Sequence, residues 1–83
     1  TYLDLARNIE GVELTLQFKY DKPQKTYVSF RSKNSVDVSV LAAQFGGGGH
    51  VRAAGCTMYT DLATAIAEVL PKAEAALTHA GNH

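Results

Sequence analysis

Val12, Leu14, Leu16 and Phe18 alternate with Glu13, Thr15, Gln17 and Lys19, the period of two that turns one face of a strand to a core and the other to water. A half-buried strand is predicted there. After the turn Tyr20-Asp21-Lys22-Pro23-Gln24, the stretch from Lys25 to Arg31 keeps a β-branched and aromatic bias through Tyr27, Val28 and Phe30. It predicts a second strand, antiparallel to the first, that ends in the polar, basic Arg31-Ser32-Lys33. Upstream, Tyr2, Leu5, Ala6 and Ile9 recur near helical spacing and Gly11 supplies a left-handed stop, so the pattern predicts a short first helix over 1–10.

Asp37 precedes Val38, with Val36 before it and Leu41 in the first turn, the arrangement of an N-cap beside a hydrophobic staple. A helix is predicted from Val38 to Phe45, stopped by Gly46. Beyond the glycines, His50 to Ala54 reads as one helical turn closed by Gly55, with Cys56 to Tyr59 as a third, short strand; a strand beginning at Val51 is the competing reading. Thr60 or Asp61 caps a last helix whose stripe is Leu62, Ile66, Val69 and Leu70, and Pro71 predicts a kink or a new segment because proline lacks an N–H. Residues 78–83 are expected to fray into a disordered tail. The sum is a small α/β domain spanning 1–83, with a mixed sheet built from the N-terminal hairpin and a short third strand, packed with two or three helices.

Composition narrows the chemistry. Eight basic and eight acidic residues among 83 cancel, so no bulk field draws in a polyanion and any phosphate contact has to be local. A chain this short buries roughly 60–65 % of its unfolded surface, enough for one core. Cys56 has no second cysteine to pair with, which fits a reducing, cytoplasmic setting. No leader pattern and no apolar run of about 18–20 residues occurs, so no membrane is expected. The chain starts at Thr1 in what reads as mid-sequence, and a fragment of a longer protein is expected.

The run Gly46-Gly47-Gly48-Gly49-His50 carries the candidate chemistry. It is neither a Walker loop, which needs Gly-Lys-Ser or Gly-Lys-Thr opening a helix, nor a dinucleotide fingerprint, whose glycines follow a strand. Read structurally, it extends a helix C-cap into a flexible link. Read chemically, backbone without Cβ atoms exposes several N–H groups to one anion. The N–H groups of Gly49, His50 and Val51 would sit at the positive end of the expected helical turn, with His50 as a donor and Arg52 as a bidentate grip or a solvated side chain. Four extended glycines reach roughly 13 Å, far enough to bring His50 back to the strand end, so Arg31 and His50 are expected to share one pocket.

Other residues admit two readings each. Ser32 is a phosphate ligand or a turn residue rather than a nucleophile, since no base stands at a telling spacing. Tyr27 and Phe30 stack on a base or fill the core. Lys19, Lys22, Lys25 and Lys33 touch a sugar-phosphate backbone or are solvated. Cys56 reads as a small buried apolar residue. His79 and His83, four apart, would take a metal only on a helix continued past Gly81 and Asn82.

Val28-Ser29-Phe30-Arg31-Ser32-Lys33, then Val36-Asp37-Val38, Leu41-Ala42-Ala43-Gln44-Phe45, the glycine-histidine run with Ala53-Ala54-Gly55, and Asp61-Leu62 opening a helix resemble, in this order, the DHH-associated domain of the first type. This domain is the C-terminal lobe of DHH family phosphoesterases. These include oligoribonucleases that also dephosphorylate 3′-phosphoadenosine 5′-phosphate, cyclic dinucleotide phosphodiesterases and single-strand exonucleases. The resemblance covers nearly the whole chain. It implies that Arg31, Ser32, Gly47, Gly48, Gly49 and His50, with Arg52 beside them, hold a nucleotide and its terminal phosphate against a catalytic lobe. It also implies that hydrolysis uses paired manganese ions in that N-terminal lobe, whose Asp-His-His motif is absent from these residues. On this reading the chain alone holds no cofactor, is no hydrolase, and positions a short RNA or nucleotide phosphate. Its partner is the N-terminal DHH lobe, and a homodimer of the parent is compatible. A non-catalytic RNA-binding module, like those appended to alanyl-tRNA synthetases, is the alternative, although that version generally lacks the Arg-Ser strand end paired with Gly-Gly-Gly-His. The preferred phosphoester is left open.

Overall fold

The computed structural model describes residues 2–9, 11–33 and 35–81. Strands β1 (Tyr2–Ile9), β2 (Val12–Asp21) and β3 (Lys25–Lys33) precede helix α1 (Val38–Ala43), strands β4 (Gly48–His50) and β5 (Ala53–Met58), and helix α2 (Leu62–Gly81). They form one sheet in the order β1-β2-β3-β5-β4. Every pairing is antiparallel, where the sequence predicts a mixed sheet. The α/β class holds.

The β2–β3 hairpin forms as the alternation predicts, with Leu16 opposite Phe30 and Phe18 opposite Val28. The expected first helix is instead strand β1. Its helical spacing is real but shares residues with a period of two: Leu3 and Leu5 sit opposite Phe18 and Leu16 and pack against the core. Burying those two beside a preformed apolar strand outweighs a short helix, which is marginal in isolation. Gly11 does adopt the left-handed conformation, with φ 81°, but after a strand; Ile9 pairs with Val12, so it serves a hairpin. Thr1 and Glu10 lie outside the described residues.

Both helices cover one face of the sheet. Val12, Leu14, Leu16 and Phe18 of β2, Val28 and Phe30 of β3, and Cys56 and Met58 of β5 meet Val38, Leu41 and Ala42 of α1 and Ala65, Val69, Ala73 and Leu77 of α2 in one core. Thr26 is the buried polar residue of this face, and its hydroxyl donates to the Thr60 carbonyl at 3.0 Å. Asp37 caps α1 as predicted, accepting from the Ser39 amide at 2.9 Å. The helix ends two residues earlier than expected, and Gly46 (φ 81°) turns the chain.

Asp61 rather than Thr60 caps α2, accepting from the Thr64 amide at 2.7 Å. The expected break at Pro71 does not occur, and α2 runs through it. Proline removes one internal hydrogen bond, but Ala65, Val69, Ala73 and Leu77 continue the same buried stripe on both sides of it. The expected fraying from Thr78 is also replaced by helix as far as Gly81. Asn82 and His83 lie outside the described residues, and with His83 the spacing expected for a metal pair. Among the described residues no helix is long and apolar enough to cross a membrane.

Candidate functional site

Directly paired residues on antiparallel strands point to the same side of a sheet, so the registers define four rows on the face the helices leave open, besides the terminal pair Asp21 and Lys25. Asn8, Glu13 and Lys33 form one end row; Ala6, Thr15, Arg31, Ala53 and His50 the next; then Asp4, Gln17, Ser29, Gly55 and Gly48; and finally Tyr2, Lys19, Tyr27 and Thr57. Arg31 and His50 therefore stand in one row, separated by the single small residue Ala53. Two strand spacings put their Cα atoms about 10 Å apart. Both residues are exposed.

The expected helical turn at His50 to Ala54 is not there. His50 pairs with Ala53 across a two-residue hairpin turn made by Val51 and Arg52, so the competing reading as a strand is the closer one. The expected helix N-terminus is absent, and the helix end beside the glycines is the C-terminus of α1. The Gly47 amide is already used, donating to the Ala42 carbonyl at 3.0 Å. What remains is a sheet edge, because β4 is the last strand and alternate peptide groups of an edge strand point outward.

Three of the four glycines are demanded by the fold itself. Gly46 takes a positive φ; a Cβ on Gly47 would collide with the Gly55 carbonyl and with Cys56; and Gly49 combines φ 147° with an approach that would put a Cβ 2.6 Å from the Ala54 Cα. Gly48 is different. A side chain there would enter open space, and its φ is not positive. It lies on the open face, in the row beside His50.

The hairpin tip is tied down by its carbonyls, with the Val38 amide donating to Val51 O at 2.9 Å and the Ser32 amide to Arg52 O at 3.1 Å. Ser32 points to the face opposite Arg31, as adjacent strand residues must, and its hydroxyl donates to the Val36 carbonyl at 2.6 Å. Arg52 donates to the same carbonyl at 3.4 Å. Ser32 and Arg52 thus brace the turn rather than joining Arg31 as free ligands, although both line the cavity it borders.

That cavity, of about 380 Å³, is lined by Glu13, Thr15, Arg31, Ser32, Lys33, Arg52 and Ala53. Lys33 is 3.9 Å from Glu13, which leaves the two guanidinium groups as its excess charge. Among the described residues no acidic group pairs with Arg31. Thr15, Glu13 and Ala53 are not among the expected site residues, yet the parity of β2 and the hairpin register carry them to this place. Phe30 is wholly buried and belongs to the core, whereas Tyr27 faces outward. Cys56 is buried as expected, and burial pushes its thiol up to about 11. Among the described residues no group of three His, Cys, Asp or Glu side chains is placed to hold a metal.

The family model of the DHHA1 domain matches residues 1–79. The chain is 37 % identical over 81 residues to the bifunctional oligoribonuclease and PAP phosphatase NrnA of Thermus thermophilus, an alignment that covers 96 % of this chain and 25 % of that protein. The chain thus spans about a quarter of the relative's length.

Proposed function

The chain belongs to the DHHA1 domain family, and from that premise we propose that it is the nucleotide-binding lobe of a DHH phosphoesterase. It positions short oligoribonucleotides or phosphonucleotides for hydrolysis by an N-terminal catalytic lobe. The observation that carries this is the row Arg31-Ala53-His50 on the uncovered face, with the unencumbered backbone of Gly48 beside it. A phosphate seated over Ala53 receives the Arg31 guanidinium from one side and the His50 imidazole from the other. Arg31 supplies a fork suited to two phosphate oxygens, and Arg52 adds charge from the neighbouring cavity wall. Gly48 lets the ligand approach the backbone without meeting a Cβ.

The lobe lowers the barrier by holding the scissile bond in place. This reading assigns the manganese ions, and the attack on phosphorus that they promote, to the catalytic lobe. The substrates named for the Thermus relative, oligoribonucleotides and PAP, are the classes proposed here.

Titrating the 83-residue chain with inorganic phosphate and with short oligoribonucleotides tests the reading through its amide resonances. Shifts centred on Gly48 to His50 and Arg31 are expected. Arg31→Ala should weaken phosphate binding about tenfold, the value of a charge-assisted hydrogen bond. Unmoved resonances at millimolar ligand would overturn the proposal.

A further inference from the structure

The row of Tyr2, Lys19, Tyr27 and Thr57, two rows along the open face, differs in kind from the row that holds Arg31. Tyr2, Lys19 and Tyr27 are consecutive cross-strand partners there. Lys25 lies two residues before Tyr27 on the same side of β3, and Tyr59 follows β5 at the matching parity. The ammonium of Lys19 stands 5.7 Å from the Tyr2 ring centroid and 5.8 Å from that of Tyr27. The ammonium of Lys25 stands 5.4 Å from Tyr27 and 6.0 Å from Tyr59. The result is a ladder in which tyrosines and lysines alternate. Tyr2 and Tyr59 are 62 % and 77 % exposed, so this aromatic surface lies outside the core. A cavity of about 500 Å³, lined among others by Tyr27, Ser29, Gly55, Thr57 and Tyr59, opens beside it.

Between the ladder and the Arg31 row runs a floor of Asp4, Gln17, Ser29, Gly55 and Gly48, with Asp4 at its β1 end. Its side chains shrink from β2 towards β4, so the face is a trough with a guanidinium and an imidazole along one wall and rings and ammoniums along the other. Tyr27 and Arg31 are four residues apart on one strand, about 14 Å at ~3.4 Å per residue. This separation suits a chain of nucleotides better than a single one.

We propose that the Tyr2-Lys19-Tyr27-Lys25-Tyr59 ladder is a base-stacking subsite for a single-stranded oligoribonucleotide whose terminal phosphate occupies the Arg31–His50 row. The proposal rests on the phosphate reading of that row. Rings stack on any base face without regard to sequence, while lysines track the backbone. The lysines of the free protein rest on the rings by cation–π attraction, which at exposed sites is weaker than a base stack. On binding, each ammonium exchanges a ring for a phosphate oxygen and leaves the ring face to a base. The ladder recognises length, and the Arg31 row recognises the end.

Because the sequence has no tryptophan, tyrosine emission reports stacking directly. Oligoadenylates of two to five nucleotides are titrated against the 83-residue chain, with inorganic phosphate as the probe of the other row. Affinity and quenching should rise with length. Tyr27→Val and Tyr59→Ala should each lower tetranucleotide affinity about tenfold and leave phosphate affinity unchanged, while Tyr27→Phe and Tyr59→Phe keep both. Tyr59 is so exposed that its variants test the ladder even if Tyr27→Val misfolds. Affinity that does not grow with length, or tyrosine variants without effect on the tetranucleotide, would overturn the stacking subsite and leave the phosphate seat standing. If Arg31→Ala leaves phosphate affinity unchanged while the tyrosine variants act as expected, the seat fails and the ladder survives.

Discussion

The two faces of the sheet are made by the same strands and obey opposite rules. On the covered face, Leu14, Leu16 and Phe18 of β2 and Val28 and Phe30 of β3 are apolar and enclosed, so side-chain volume decides what is allowed. On the open face, the intervening residues Thr15, Gln17, Ser29 and Arg31 meet solvent, and composition is free to serve a ligand. Strand alternation thus separates stability from recognition within a single run of residues. Arg31 and Ser32 show this at its sharpest, since neighbours in sequence are divided by the sheet, one to the trough and one to a carbonyl that braces the fold.

The largest effects should come from the covered face. Phe30→Ala or Leu16→Ala empties a site with no exposed surface and should cost about 3–5 kcal/mol, a large part of what holds a small domain folded. Arg31→Ala and Gln17→Ala, adjacent to them in sequence, should stay within about 0.5 kcal/mol. Urea unfolding of the four variants measures the contrast. Equal losses on both faces would mean that the open face is packed against something in the isolated chain.

A second comparison lies within the glycine run. Gly49→Ala forces a Cβ into the Ala54 backbone at a φ that L residues rarely adopt, and should destabilise by about 2 kcal/mol or more. Gly48→Ala meets open space at an ordinary φ and should stabilise slightly, by up to about 1 kcal/mol, through the unfolded state. It should nonetheless weaken phosphate binding several-fold if the ligand rests on that peptide. Thermal melts read the first outcome and phosphate titration the second. A destabilised Gly48→Ala, or one that binds normally, would remove the reason for assigning Gly48 to the ligand.

These contrasts also explain what the sequence discloses. The hairpin, the Asp37 cap and the position of α2 are legible because each rests on alternation, a capping side chain or a helical stripe. Strand β1 is not, since Leu5 serves both periods and only its pairing with β2 decides between them. Strand β4 is invisible for another reason: glycines have no side chains to alternate, so their regular pairing with β5 leaves no trace in the pattern. Chain reach and motif anticipate that Arg31 and His50 lie on one side of the molecule, but they meet in a cross-strand row rather than at a helix terminus, and the cavities beside Arg31 are lined without His50. The tyrosine ladder joins residues 2, 19, 25, 27 and 59, a grouping that only the register reveals.

The smallest expected effect concerns acid, and it belongs wholly to the helix layer. The Ser39 hydrogen bond holds the Asp37 carboxyl below its ordinary value, and the Thr64 hydrogen bond does the same for Asp61. Between each lowered value and the ordinary one near 4, the unfolded chain binds more protons than the native one, so stability falls as pH drops. The stabilisation is complete above about pH 5 and disappears as the pH passes down through the native values. Asp61 is exposed and Asp37 half-buried, and the slope should be shallow. Asparagine caps a helix nearly as well as aspartate and does not titrate. The double variant Asp37→Asn, Asp61→Asn should therefore match the parent at pH 3 and trail it slightly at pH 7 in urea midpoint. A parent whose midpoint is flat from pH 7 to pH 3 would overturn the expectation, and a double variant that keeps the full acid slope would show that acid acts elsewhere in the molecule.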